Sequence, residues 1–162
     1  WVCYKNMRKT AFVKISGDLI SRKDVLNWIK SITDNYFVVI CSGGGAQIND
    51  EFTKKNIAIK FGPLGREIKN FEDRQIARDI LEKNQAEIQD LFETKNIKAT
   101  VVIPVLDIGS VLCHVNGDIY TKATYLGFDK IYILTLSDRI EKKKKEFNKF
   151  PKIEIVGFPS LS

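Results

Sequence analysis

The chain has 162 residues, 44% of them hydrophobic and 28% charged, with a formal net charge of +6. That length and composition fit one globular domain able to bury a core. They exclude a disordered chain, and every apolar run is too short to cross a bilayer.

The elements read as follows in chain order. Thr10 to Ile15 is a strand. Ser21 to Thr33 is a helix, with Ser21 as its cap, Asp24 three residues on, and Val25, Leu26, Trp28, Ile29 and Ile32 as its apolar face. Tyr36 to Cys41 is a strand rich in β-branched and aromatic residues. Three glycines then lead into a helix from about Gly45 to Lys55. Asn56 to Arg66 reads as irregular. Phe71 to Thr94 is the longest helical pattern and contains neither glycine nor proline. Ala99 to Pro104 is a strand broken at the proline. "GSVLCHVNGD" holds a short extended piece and a turn. Asp118 to Leu126 is a helix with Gly127 as its C′ residue. Lys130 to Leu136 is a strand, Ile140 to Phe147 a lysine-rich helix, and Lys152 to Val156 a last strand. Strands alternating with helices predict an α/β fold, with a mainly parallel sheet between two helical layers.

Cys3, Cys41 and Cys113 are too widely spaced for a CxxC metal or redox motif, and their odd number argues against a disulfide framework. One histidine, His114, cannot build a multi-histidine metal site, so no metal ligands are assigned. The N-terminus "WVCYKNMRKT" has no apolar signal region, and a reduced cytoplasmic protein is the expectation. Met7 reads as the natural start or close to it. Residues 1–6 are then an extension and residues 7–162 a single domain. The run "EKKKKEFNK" has two readings, a solvated helix face or a contact for nucleic acid or anionic lipid. No aromatic stacking pattern accompanies it, so neither nucleic acid nor membrane is expected as a partner.

The stretch "VVICSGGGAQIN" also has two readings. Glycine visits positive φ freely and lets other groups approach the backbone closely. A strand ending in glycines that open a helix is where α/β proteins place anions. It is equally a tight strand-to-helix turn with no ligand.

Three segments line up in order: "FVKISGDLI", "ICSGGGAQIN" and "HVNGDIYTKATYLGFDKIYILT". In sequence and spacing they resemble the amino acid kinase superfamily, which includes acetylglutamate kinase, aspartokinase, uridylate kinase and carbamate kinase. The resemblance runs from about Thr10 to Asp138. It implies a three-layer αβα sandwich of the carbamate kinase type that phosphorylates a carboxylate, carbamate or phosphate with ATP and Mg. It places Lys14 at the transferring phosphoryl, with Ser16 and Gly17 in the turn behind it. Gly43, Gly44 and Gly45 form the loop that holds phosphoryl and acceptor. Asn116 belongs to the Asn-x-Asp element, and Asp118 orients catalytic lysines. Arg66, in "GPLGREI", resembles the arginine that binds an acceptor carboxylate.

The chemistry is coherent on its own terms. Phosphoryl transfer needs positioning and positive charge, which a fixed lysine, glycine-turn amides and a helix N-terminus supply. Bland alternatives stand beside it: Lys14 as a surface lysine, Asp118 as a helix cap, Arg66 as a solvated loop residue.

The sequence also departs from the family. His114 replaces the first asparagine of Asn-x-Asn-x-Asp. Ser137, Asp138 and Arg139 stand where Asp-Val-x-Gly would continue, so the nucleotide-binding half reads as shortened. The expected function is an ATP-dependent amino acid kinase-type phosphotransferase. The alternative is a non-catalytic descendant that binds a small anion or serves as a regulatory or assembly subunit, with no cofactor. Expected partners are a small anionic ligand and a second copy or partner subunit, since a shortened sheet exposes an edge.

Overall fold

A computed structural model of the chain describes residues 8–62, 65–108, 111–114 and 116–160, with backbone alone for 106–108 and 111–114. The expected extension at residues 1–6 lies outside the described residues. Five strands form the main sheet: β1 (Lys9–Ile15), β2 (Tyr36–Ser42), β5 (Ala99–Val102), β8 (Lys130–Leu136) and β9 (Ile153–Phe158), in the order β5-β2-β1-β8-β9. All four pairings are parallel.

Period-two alternation splits the strands between two cores. Ala11, Val13, Ile15, Val38 and Ile40 face one side. There they meet Val25, Leu26 and Ile29 of α1 (Lys23–Ile32), and Ile88 and Phe92 of α3 (Phe71–Thr94). Phe12, Cys41 and Ile131 face the other side, against Tyr120 of α4 (Gly117–Ala123) and the aromatics Tyr125 and Phe128. The helix α5 (Ile140–Glu146) joins α4 on that side through Lys143 and Asp118. The fold is therefore a three-layer α/β/α sandwich. The long helix α3 serves two clusters. Its C-terminal half packs on the sheet, while Ala77 and Leu81 pack against Ile48 and Phe52 of α2 (Gly45–Lys54).

Several boundaries differ from expectation, each for a local reason. Helix α1 starts at Lys23 behind Arg22, and Ser21 does not cap it. Arg22 instead pairs with Asp24 at 2.6 Å and donates to the Pro159 carbonyl. The stretch expected to be irregular contains a minimal antiparallel pair, β3 (Phe61–Gly62) with β4 (Gly65–Arg66), in which Gly65 has φ +105°. A second antiparallel pair joins β6 (Val105–Ile108) to β7 (Val111–His114), the latter within the stretch expected to hold a short extended piece. Gly127 ends a 3-10 turn without the positive φ of a C′ glycine.

Strand β5 ends at Val102, two residues short of the expected Pro104, and lies at the sheet edge. That edge is sealed from within. The Gln89 amide accepts from Val101 N–H and donates to the Ala99 carbonyl, while Gln85 donates to the Val101 carbonyl.

Candidate functional site

The site is built at the C-terminal ends of β1 and β2, where an open parallel sheet presents ligands to loops and helix starts. Lys14 sits on the α4 side of β1, opposite Cys41 of β2 and Ile133 of β8. Its stem runs over Gly117, where an added Cβ would lie 3.3 Å from Lys14 Cε. A glycine at 117 lets the lysine pass close to the first turn of α4. That turn is fixed by Asn116, whose Oδ1 accepts from Asp118 N–H at 2.7 Å.

Asp118 is the hub. Lys14 Nζ lies 3.4 Å from its Oδ1, and Lys143 Nζ of α5 donates to its Oδ2 at 2.6 Å. Lys143 donates also to Glu146 at 2.9 Å. The Lys14 contact is an ion pair without hydrogen-bond geometry, so Asp118 Oδ1 stays buried with no hydrogen-bond partner among the described residues. The side chains of Lys14, Asp118 and Lys143 are only 13–14% exposed.

Burial by itself would raise the Asp118 carboxyl. The Lys14 charge and the Lys143 hydrogen bond outweigh it and hold the group below the ordinary carboxylate range. Burial would likewise lower Lys143, yet Asp118 and Glu146 together hold it above its ordinary value. Cys41, beside this cluster, is a buried thiol pushed up to about 12 chiefly by desolvation, which makes it inert as a nucleophile.

The glycine loop adds backbone donors. An added Cβ at Gly43 or Gly45 would meet nothing within 4 Å, so both glycines border open space. At Gly44 it would come within 2.6 Å of the Asn84 amide on α3, so a side chain there would have to displace Asn84. Helix α2 begins here with no side-chain cap and no acidic residue in its first turn, which leaves amide donors facing outward. Gly17 lies against the Gly43 carbonyl, 3.8 Å from its would-be Cβ.

Arg66 closes the opposite side. Its guanidinium donates to Asn49 Oδ1 at 2.6 Å and to the Gly45 carbonyl at 3.1 Å. It is stacked between Phe61 and Phe52, at 4.9 and 5.7 Å from the ring centroids. No carboxylate among the described residues forms an ion pair with it, and burial lowers its pKa. An added Cβ at Gly65 would lie 2.8 Å from Asn116 Cβ, so the hairpin that carries Arg66 touches the residue that caps α4.

The structure thus brings Lys14, Gly17, the 43–45 loop, Arg66, Asn116 and Asp118 into one connected wall. Ser16 lies at the strand end, its N–H donating to the Leu134 carbonyl, and its hydroxyl makes no hydrogen bond to the others among the described residues. Lys143 and Glu146 are members that the sequence reading did not single out. Their one signal is an i,i+3 pair inside the lysine run. Asp18, four residues after Lys14, pairs with Arg139 at 3.3 Å.

Lys143 hydrogen-bonds both carboxylates, and no group of three or more His, Cys, Asp or Glu could hold a metal ion among the described residues. A separate groove of about 520 Å³ lies at the other end of the sheet, lined by Phe37, Gln89, Glu93 and Thr100, and holds no such convergence of charge. No described helix is long and apolar enough to cross a membrane.

No family model and no curated protein sequence matches the chain. Solved structures do match it in fold. That of smu.665 from Streptococcus mutans UA159 is 14% identical with a TM-score of 0.58, covering 96% of this chain and 97% of that one. N-acetylglutamate synthase from Neisseria gonorrhoeae, complexed with coenzyme A and N-acetyl-glutamate, is 13% identical with a TM-score of 0.50. It covers 80% of this chain and 42% of its own. The same synthase with coenzyme A and L-arginine is 11% identical with a TM-score of 0.50, covering 80% and 44%. The chain spans less than half of the synthase. At these identities the likeness is one of fold.

The expectation of an ATP-dependent kinase is corrected here. The solved structures this chain is similar to include a synthase complexed with coenzyme A, not a phosphotransferase. The segment after β8 is where the nucleotide-binding half reads as shortened. It forms a 3-10 turn (Ser137–Arg139), α5 and β9, and α5 delivers Lys143 onto Asp118.

Proposed function

We propose that this protein binds a small carboxylate- or phosphate-bearing molecule between the 43–45 loop and the first turn of α4. Lys14, Lys143 and Arg66 are its cationic contacts, and the α2 amides receive the anionic group. The observation that carries this reading is the charge balance of the wall. Three fixed cations stand against two carboxylates, and Arg66 is held by neutral groups alone. A half-buried guanidinium with spare donors suits a planar or tetrahedral oxyanion. The molecules in the synthase complexes, N-acetyl-glutamate, L-arginine and coenzyme A, all bear carboxylate or phosphate groups, which supports an anion as the ligand class for this fold.

The test is thermal stability and calorimetry with inorganic phosphate, glutamate, N-acetyl-glutamate and coenzyme A. A probe at a hundred times its dissociation constant should stabilise the fold by about 2.7 kcal/mol. Lys14→Met and Arg66→Met should each weaken that probe at least tenfold. Absence of a shift with every probe, or unchanged affinity in both variants, overturns the reading.

A further inference from the structure

We propose that β9 is a dimerisation edge, at which two copies of this chain pair antiparallel about a two-fold axis at Val156. The argument starts from which backbone groups of β9 are free. Ile131 N–H of β8 donates to the Lys152 carbonyl, so even-numbered residues of β9 turn their backbone groups toward β8. Ile153, Ile155 and Gly157 therefore turn theirs outward. Ile153 N–H is already used, donating to the Phe150 carbonyl. Pro159, the next outward position, has no N–H, and its carbonyl accepts from Arg22 at 2.6 Å. What stays open among the described residues is the Ile153 C=O and the N–H and C=O of Ile155 and of Gly157.

The two residues with both groups open, Ile155 and Gly157, are symmetric about Val156. A second copy laid antiparallel, with Ile155 opposite Gly157 of its partner, satisfies all four groups on each side in two hydrogen-bonded pairs. Glu154, the one charged residue of the strand, then falls opposite Phe158, so like charges do not face each other. The strand carries no lysine, proline or bulge to blunt it, unlike β5, whose edge Gln85 and Gln89 close. With one edge sealed and the other self-complementary, association stops at two copies and cannot grow into a filament.

Sedimentation of the full chain should show a concentration-dependent dimer. Ile155→Pro removes an outward donor at an edge position where proline is tolerated, and should return the protein to monomer. Val156→Cys tests register independently of that variant's folding. Val156 faces itself across the axis, so mild oxidation should give a cross-linked dimer, whereas Glu154→Cys should not. A protein that stays monomeric at its highest soluble concentration overturns the proposal, even if β9 captures a strand from another protein. So does a dimer that Val156→Cys fails to cross-link.

Discussion

Asp118→Asn removes the charge that two buried ammonium groups share while keeping the shape of the side chain. At separations of 3.4 and 2.6 Å, and an effective dielectric of about 20, the two gross attractions are about 5 and 6 kcal/mol. Desolvation of three side chains offsets most of this, and deleting one partner of such a buried pair costs about 3–5 kcal/mol net. The lower end applies, because Lys143 retains Glu146 at 2.9 Å while Lys14 has no second carboxylate among the described residues. A loss of about 3 kcal/mol at neutral pH corresponds to roughly 6–12 °C in melting temperature for a chain of this size.

The pH dependence fixes the cause. The Asp118 carboxyl is held below its ordinary range when folded, so its contribution is complete above about pH 4 and is lost as pH falls through the lower folded value. Parent and variant should therefore converge in acid, since every other carboxylate titrates in both. Lys143 is held high, so its contribution is complete below its unfolded pKa and fades only as pH rises through the folded one. Urea denaturation of both proteins across the acid range measures the difference. A loss below about 1 kcal/mol at neutral pH, or one that persists undiminished in strong acid, refutes the shared-charge account.

Three further outcomes follow from single contacts. Phe92→Ala, at a fully buried ring between α3 and the sheet, should lower stability by about 3–5 kcal/mol in denaturant titration. Gly65→Ala forces a side chain onto a positive φ and against Asn116, and should lose about 1–3 kcal/mol. It should also weaken binding of the anion probes, because the hairpin carries Arg66. Gln89→Leu keeps the side chain's bulk but strips the Val101 N–H and Ala99 carbonyl of their cap, which should cost about 2 kcal/mol and produce aggregates visible by light scattering.

The sheet was legible in the sequence because its strands are dense in β-branched and aromatic residues on both faces. That signal survives without knowledge of partners. The order of the strands was less so. Ala99 to Val102 is as apolar as a central strand, yet lies at an edge, because glutamines on a neighbouring helix do the work of a further strand. Side-chain-to-backbone caps of this kind leave no periodic trace. Of the short pairs, β3–β4 read as irregular and β6 was missed, while β7 falls in the stretch read as a short extended piece: strands of two to four residues are too short for alternation to register.

The second lysine shows where sequence reading of the site reaches its limit. Lys142, Lys143, Lys144 and Lys145 are chemically equivalent in the sequence, and the run reads as a solvated face. Only the way α5 lies against α4 selects one of them. Phe147 is buried, with the Lys122 ammonium over its ring, and that anchors the helix and turns Lys143 inward. Lys144 is left to pair with the exposed Glu141. Lys14 and Asp118, by contrast, sit in distinctive strand and helix-start contexts. The selection of Lys143 depends on a contact between residues 25 positions apart, between helices with a strand of the sheet between them in sequence. An aspartate that one lysine would have satisfied is thereby given two, and its free Oδ1 still lacks a hydrogen-bond partner. The cluster is thus charge-paired but not hydrogen-bond-complete, which leaves a ligand or water with a donor a reason to enter.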